Sequence, residues 1–335
     1  MPQIDGYDFF YDLEPRYSPS LGIPAQQLTI GIPGNGCLWY KQSKGQGCPF
    51  CAFPGLTEEI TGGEILGTSI FGRMFQESVQ AHPDPDRLAV FNGGSFFPAK
   101  EIPWDFRPQV YQYVADRPAI GQLAVESKPE YIDTDVLAQA TNIMDGNRLA
   151  VGIGLESSND LLRKSVLKKG ISRRSFEASV ALMQSMEVRI FVYVFLKAPG
   201  LSEKEAIADV LETCRYLHNL GVDEMALSCA FVQAGTPLAI QYQDYQHRGV
   251  EDAYAFRPPR LWSILHIVEE AHRNGWPLSV GGFDDHPTPI AIASNCPECD
   301  PGILEGINHY RTFGDIIHLR GHSCSCRQEW DNLCS

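Results

Sequence analysis

Residues 36–53 read GCLWYKQSKGQGCPFCAF. Cys37, Cys48 and Cys51 stand there as C-x10-C-x2-C on a glycine-rich loop. The loop follows the apolar run LTIGIP at 28–33, which reads as a short strand ended by glycine and proline. A structural zinc site normally draws four protein ligands. Three thiolates on one loop can instead hold three irons of a [4Fe–4S] cube and leave the fourth iron for a small molecule. A zinc loop completed by a distant residue is the other reading of the same spacing. Gly34, Gly36, Gly45 and Gly47 would let the backbone wrap closely around a bound group.

Working outward, the chain alternates between two kinds of segment. RLAVFN (87–92), QLAVES (122–127), LAVGIGLE (149–156), VRIFVYVFL (188–196) and EMALSCAFV (224–232) are apolar runs too short for helices, and they read as strands. Helical patterns separate them. One is expected from Thr57 to about residue 82, and another over SRRSFEASVALMQSM. A third opens on the capping box Ser202–Glu205 and ends at Gly221. Six strand–helix repeats give a parallel sheet with right-handed crossovers. The expected fold is α/β, a partial (β/α)6 TIM-like barrel with a C-terminal metal-binding extension. The expected divisions are an N-terminal extension over 1–27, the barrel over 28–245, and the extension over 246–335. In such barrels chemistry sits at the carboxyl ends of the strands.

The 335 residues are 44% hydrophobic, enough for a large core, and carry a formal charge of −14. An acidic balance argues against strong non-specific binding to a phosphate backbone. No apolar run is long enough to span a membrane. The acidic, aromatic start lacks the basic and apolar stretches of a secretory signal, so the chain is expected in the cytoplasm. Disulfides are uncommon there, and eight of the ten cysteines fall in two groups near the ends, which points to metal. Cys214 and Cys229 read as buried small hydrophobes.

The wide cysteine motif, with Phe50 before its last cysteine, resembles the radical S-adenosylmethionine (radical SAM) enzymes. It is similar to the branch of the Elongator catalytic subunit and the archaeosine-forming radical SAM enzyme. FNGGSFFP (91–98), VESKPEYI (125–132), GIGLESSND (152–160), FLKAPGLSEKEAI (195–207), QAGTPL (233–238) and FRPPRLWS (256–263) extend the resemblance over about residues 28 to 330. It implies a [4Fe–4S] cluster on Cys37, Cys48 and Cys51, and reductive cleavage of SAM to a 5′-deoxyadenosyl radical. It also implies a reducing partner of flavodoxin or ferredoxin type. By the same resemblance Phe50 would lie against the adenine. Gly93, Gly94 and Ser95 would receive the amino group of SAM. Glu126, Ser127 and Lys128 would face its ribose or carboxylate; Lys128 stands where relatives often carry Arg, so it offers charge without the bidentate fork. Glu156, Ser157 and Lys197 are the corresponding polar residues of the next two strand ends.

Cys296, Cys299, Cys324 and Cys326, in CPEC and CSC, form a second set of four thiols that suits zinc or a second [4Fe–4S] cluster. His322 and Cys334 are reserve ligands. Asp284, Asp285 and His286 in GGFDDHPTP read as a turn with solvated acids, or as a mononuclear metal or substrate site. Hydrogen abstraction from a small molecule or peptide is the preferred activity. The alternatives are tRNA modification, using Arg163, Lys164, Lys168, Lys169, Arg173 and Arg174 as a basic groove, and transfer of the 3-amino-3-carboxypropyl group of SAM. A zinc-binding structural protein is the reading without catalysis.

Overall fold

The computed structural model describes residues 1–281 and 288–335, so Asp284, Asp285 and His286 lie outside the described residues. One sheet of eight strands organises the chain. Its strands are β1 (Phe10–Ser18), β2 (Ile23–Gly31), β3 (Arg87–Phe91), β4 (Gln122–Glu126), β5 (Leu149–Glu156), β6 (Arg189–Leu196), β7 (Glu224–Cys229) and β8 (Leu278–Gly281). They lie side by side in chain order. β2 to β8 are parallel, and β1 pairs antiparallel with β2 in the register Phe10 to Gly31. Helices cross over between the parallel strands, giving the TIM-like barrel that the alternation predicts.

Strand parity separates two interiors. Leu88 and Val90, Leu123 and Val125, Val151 and Ile153, and Val192 and Val194 join the main core with the helices. Their neighbours Ala89, Ala124, Ala150 and Phe191 pack in a second cluster with Phe91 and Tyr193, on the concave face. At the amino ends of the strands a polar plug closes the barrel. Glu224 is 3.4 Å from Arg87, accepts the Ser279 hydroxyl at 2.9 Å, and meets Ser20, which accepts from Gln122 at 3.0 Å.

The sheet order leaves β8 and β1 unpaired with each other, and the helix Asp300–Phe313 covers that gap. Tyr310 donates to the carbonyl of Leu278 on β8 at 2.7 Å. Four residues on, at the C-terminal cap of the same helix, Gly314 lies so close to Tyr17 of β1 that a Cβ would sit 2.6 Å from the ring.

Three elements differ from the sequence expectation. The helix expected from Thr57 is two helices, Phe53–Thr61 and Thr68–Ala81, because Gly62 takes the left-handed conformation at φ 59° and ends the first. Residues 10–18 form β1; Pro15 is tolerated because this is an edge strand with one side free of ladder bonds. β8 is a short strand of four residues.

Candidate active site at the strand ends

The cysteine loop leaves β2 and lies across the carboxyl ends of the strands. Cys37 caps the short helix Leu38–Gln42, and the Cys51 amide donates to the Cys48 carbonyl at 3.3 Å. Burial raises the Cys37 thiol above its ordinary value. Burial, then the nearby Cys48, pushes Cys51 up to about 12. A bound iron would favour their thiolate form. Their three sulfurs do not all lie within 4.8 Å of one another. Among the described residues, the cysteines whose sulfurs all lie within 4.8 Å of each other are Cys296, Cys299, Cys324 and Cys326. Wider spacing suits ligands to separate irons of a cube.

Phe50 packs against Phe195 of β6 with ring centroids 4.5 Å apart. The neighbouring Pro49 carbonyl accepts the Leu238 amide at 3.1 Å, which ties the loop to the QAGTPL segment. Gly93 and Gly94 follow β3. A Cβ on Gly93, at φ 64°, would stand 2.8 Å from Phe53, and one on Gly94 would stand 2.0 Å from a Glu101 oxygen. Only glycine fits this cradle. The Ser95 hydroxyl accepts the Lys128 amide at 3.2 Å.

Glu126 ends β4 and accepts the Tyr193 hydroxyl at 2.5 Å. Lys128 is turned along the rim: it pairs with Glu130 at 2.6 Å, donates to the Lys169 carbonyl at 3.1 Å and lies 3.9 Å from the centre of the Trp39 ring. The Ser157 hydroxyl donates to Asp209 of the helix Glu203–Asn219 at 2.7 Å, so it anchors the strand end to that helix. Lys197 is buried; it pairs with Glu203 at 3.8 Å and with Glu251, and donates to the Arg257 carbonyl at 3.3 Å. Burial pushes its ammonium down to about 8.

Glu156 and Lys197 end adjacent strands at φ 71° and 76°, a backbone region that costs side-chain-bearing residues energy and clusters at functional sites. A bulge between Ile153 and Glu156 adds to the redirection. Glu156 is buried, one carboxylate oxygen meets Lys169 at 3.0 Å, and the other has no partner. A buried oxygen left unpaired points to a missing donor.

Two residues of the site escaped the sequence reading. Glu101, fully buried, accepts the Leu38 amide at 3.0 Å and the Ser95 amide at 2.5 Å. It joins the first cysteine to the glycine cradle, and burial pushes its carboxyl up to about 7. In sequence, Lys169 belongs to the basic run. Its ammonium instead turns inward to Glu156, 5.5 Å from the centre of the Phe50 ring. Gly170 makes this turn, at φ 63°, under the Trp39 ring, whose indole donates to the Lys168 carbonyl at 2.9 Å.

The glycine cradle and the unpaired Glu156 oxygen fit a bound SAM, and the three loop thiols fit a cluster. At the other end of the chain the second thiol set is assembled, without Cys334 or His322.

No family model matches the sequence. An uncharacterized protein of Methanocaldococcus jannaschii is 25% identical over 313 residues, 91% of this chain and 81% of that protein. The archaeosine synthase subunit beta of Methanosarcina acetivorans is 22% identical over 318 residues, 93% of this chain and 86% of that protein. Among solved structures, queuine lyase from Clostridium spiroforme, bound to SAM and queuine, aligns with a TM-score of 0.51 and 18% identity over 83% of this chain and 96% of that one.

Proposed function

We propose that this chain, a radical SAM enzyme by its cysteine loop, barrel and relatives, acts on a free heterocyclic base of the kind queuine represents, held inside the barrel. When bound, the cluster and SAM supply a 5′-deoxyadenosyl radical, after one electron from a reductant of flavodoxin or ferredoxin type. Cys37, Cys48 and Cys51 would hold the cluster. Gly93, Gly94 and Ser95 would receive the amino-acid end of SAM through backbone groups, and Phe50 would border its adenine. Glu156, bonded to Lys169 through one oxygen, would accept a hydrogen bond from SAM at its unpaired oxygen. Glu126 and Tyr193, on the concave face, offer a carboxylate and a hydroxyl to a polar base.

The observation that carries the preference for a free base over tRNA is the fate of the basic run. Arg163 is buried and bonded to the Ser157 and Ile171 carbonyls, and Lys169 is turned inward. Lys164 is paired with Asp160 at 2.7 Å, and Arg173 donates to the Ser158 carbonyl at 3.1 Å. Two of the six are thus withdrawn from a phosphate backbone, and Lys164, Lys168, Arg173 and Arg174 remain exposed on a chain of charge −14. The relatedness to archaeosine synthase subunit beta favours tRNA as the second reading.

Anaerobic reconstituted protein, given SAM and dithionite, should convert a queuine-type base while tRNA remains unchanged. Salt-sensitive tRNA binding that Lys168→Glu with Arg174→Glu abolishes, with no turnover of the free base, would replace this reading by the second.

A further inference from the structure

The four C-terminal thiols are close enough to decide between their two candidate occupants. Cys296 lies 3.5 Å from Cys299 and 3.5 Å from Cys324, and Cys299 lies 3.6 Å from Cys326. All four sulfurs fall within 4.8 Å of one another. Bonds of about 2.3 Å to one tetrahedral zinc ion place sulfurs about 3.8 Å apart. In a [4Fe–4S] cluster each thiolate binds its own iron at a separate corner, so four protein sulfurs must stand much farther apart than around one ion. The observed set has room for one ion and none for a cube.

The surroundings suit a closed structural site. The Trp262 indole N–H points to the Cys326 sulfur at 3.3 Å, and the Asn295 amide to Cys299 at 3.7 Å. Such donors stabilise thiolate charge. Asp300 holds the first hook by accepting the Asn295 and Cys296 amides at 2.7 and 3.2 Å. Four thiolates complete the tetrahedron, so no position remains for a substrate.

We infer that Cys296, Cys299, Cys324 and Cys326 bind a single zinc ion that pins the helix closing the split barrel. Cys299 caps the helix Asp300–Phe313, which lies between β8 and β1. Cys326 begins the last helix, Cys326–Cys334. Trp262 comes from the helix Leu261–Arg273, whose Ser263 accepts the Trp330 indole at 2.8 Å. The ion thus fixes three helices at the one place where the sheet does not close itself. Metal binding here is folding free energy.

The test uses the full chain with Cys37, Cys48 and Cys51 all replaced by Ala, which removes the loop cluster and leaves the second site whole. Prepared anaerobically, it should hold about one zinc and almost no iron per chain. A second variant, Cys296→Ser with the loop cysteines intact, should lose the zinc and keep the iron. It should also be cut by protease near Asp300–Phe313, with rescue of protection absent at any zinc concentration. About four irons remaining in the triple variant, with the absorption of an iron–sulfur cluster, would overturn the inference in favour of an auxiliary cluster. Neither metal in the triple variant, after refolding with zinc present, would overturn it as well. If Cys296→Ser does not fold, the triple variant alone still decides.

Discussion

The carboxylate of Glu101 accepts the amide of Ser95 at 2.5 Å with one oxygen while its other oxygen holds the amide of Leu38, the residue after Cys37. One buried side chain therefore sets the position of the cysteine loop relative to the glycine cradle. A cluster held by this loop and SAM held by this cradle would depend on such a tie.

Glu101→Gln keeps the shape but turns one acceptor into an N–H that faces another N–H. Leaving a buried donor unsatisfied costs about 1–3 kcal/mol. Iron content and SAM affinity should therefore fall together, with SAM binding weaker by roughly 5- to 150-fold. Calorimetric titration with SAM on the iron-loaded variant checks this. Wild-type affinity at full iron content would show that the tie is dispensable.

Replacing Cys37, Cys48 or Cys51 singly by Ala should remove the loop iron and abolish SAM cleavage. Cys214 and Cys229 are buried in the main core and cannot substitute, and the second thiol set already has its own geometry. Iron counts and 5′-deoxyadenosine formation under dithionite give the readout. Cleavage surviving in any one variant would mean that the ligand set is different.

Much of this architecture is legible in the chain because its barrel strands are short apolar runs between helical patterns. LAVGIGLE matches β5 from Leu149 to Glu156. Order and position of the motifs also place the cysteine loop and the glycine cradle on one rim. What the sequence hides is direction. Lys168 and Lys169 are adjacent basic residues, yet one is exposed and the other reaches Glu156; the difference comes from Gly170 and the Trp39 ring above it. Glu101 looks like a loop acid, since nothing local marks the two amides that it serves. β1 is masked by Pro15 and its acids, and its strand character comes from pairing with β2.

Asp209 gives a pH signature. Burial raises its carboxyl to about 6, against the opposing bond from Ser157. Between its ordinary value of 3.8 and about 6, the folded chain keeps a proton that the unfolded chain has released. The unfolded state then binds fewer protons, so this residue's contribution to stability falls as pH rises through the window and levels off above it. Asp209→Asn should flatten that slope. Denaturant titrations at several pH values from 4 to 7, wild type against variant, measure it. Parallel curves for the two proteins would show that the carboxyl is not raised.

The contrast between Lys168 and Lys169 supplies the last prediction. Lys169 is the partner of a buried carboxylate, and Glu156 keeps its other oxygen unpaired. Lys169→Met strands that charge, and breaking a buried pair from one side costs about 3–5 kcal/mol. Denaturation should detect a loss of that order without SAM present. Glu156→Gln introduced beside Lys169→Met removes the stranded charge and should restore much of the loss, so the two effects will not add. Lys168→Glu, on an exposed side chain, should change stability by no more than about 0.5 kcal/mol. Equal and additive effects at the two lysines would mean that Lys169 faces solvent like its neighbour, and would add it to the exposed basic residues that a phosphate backbone could reach.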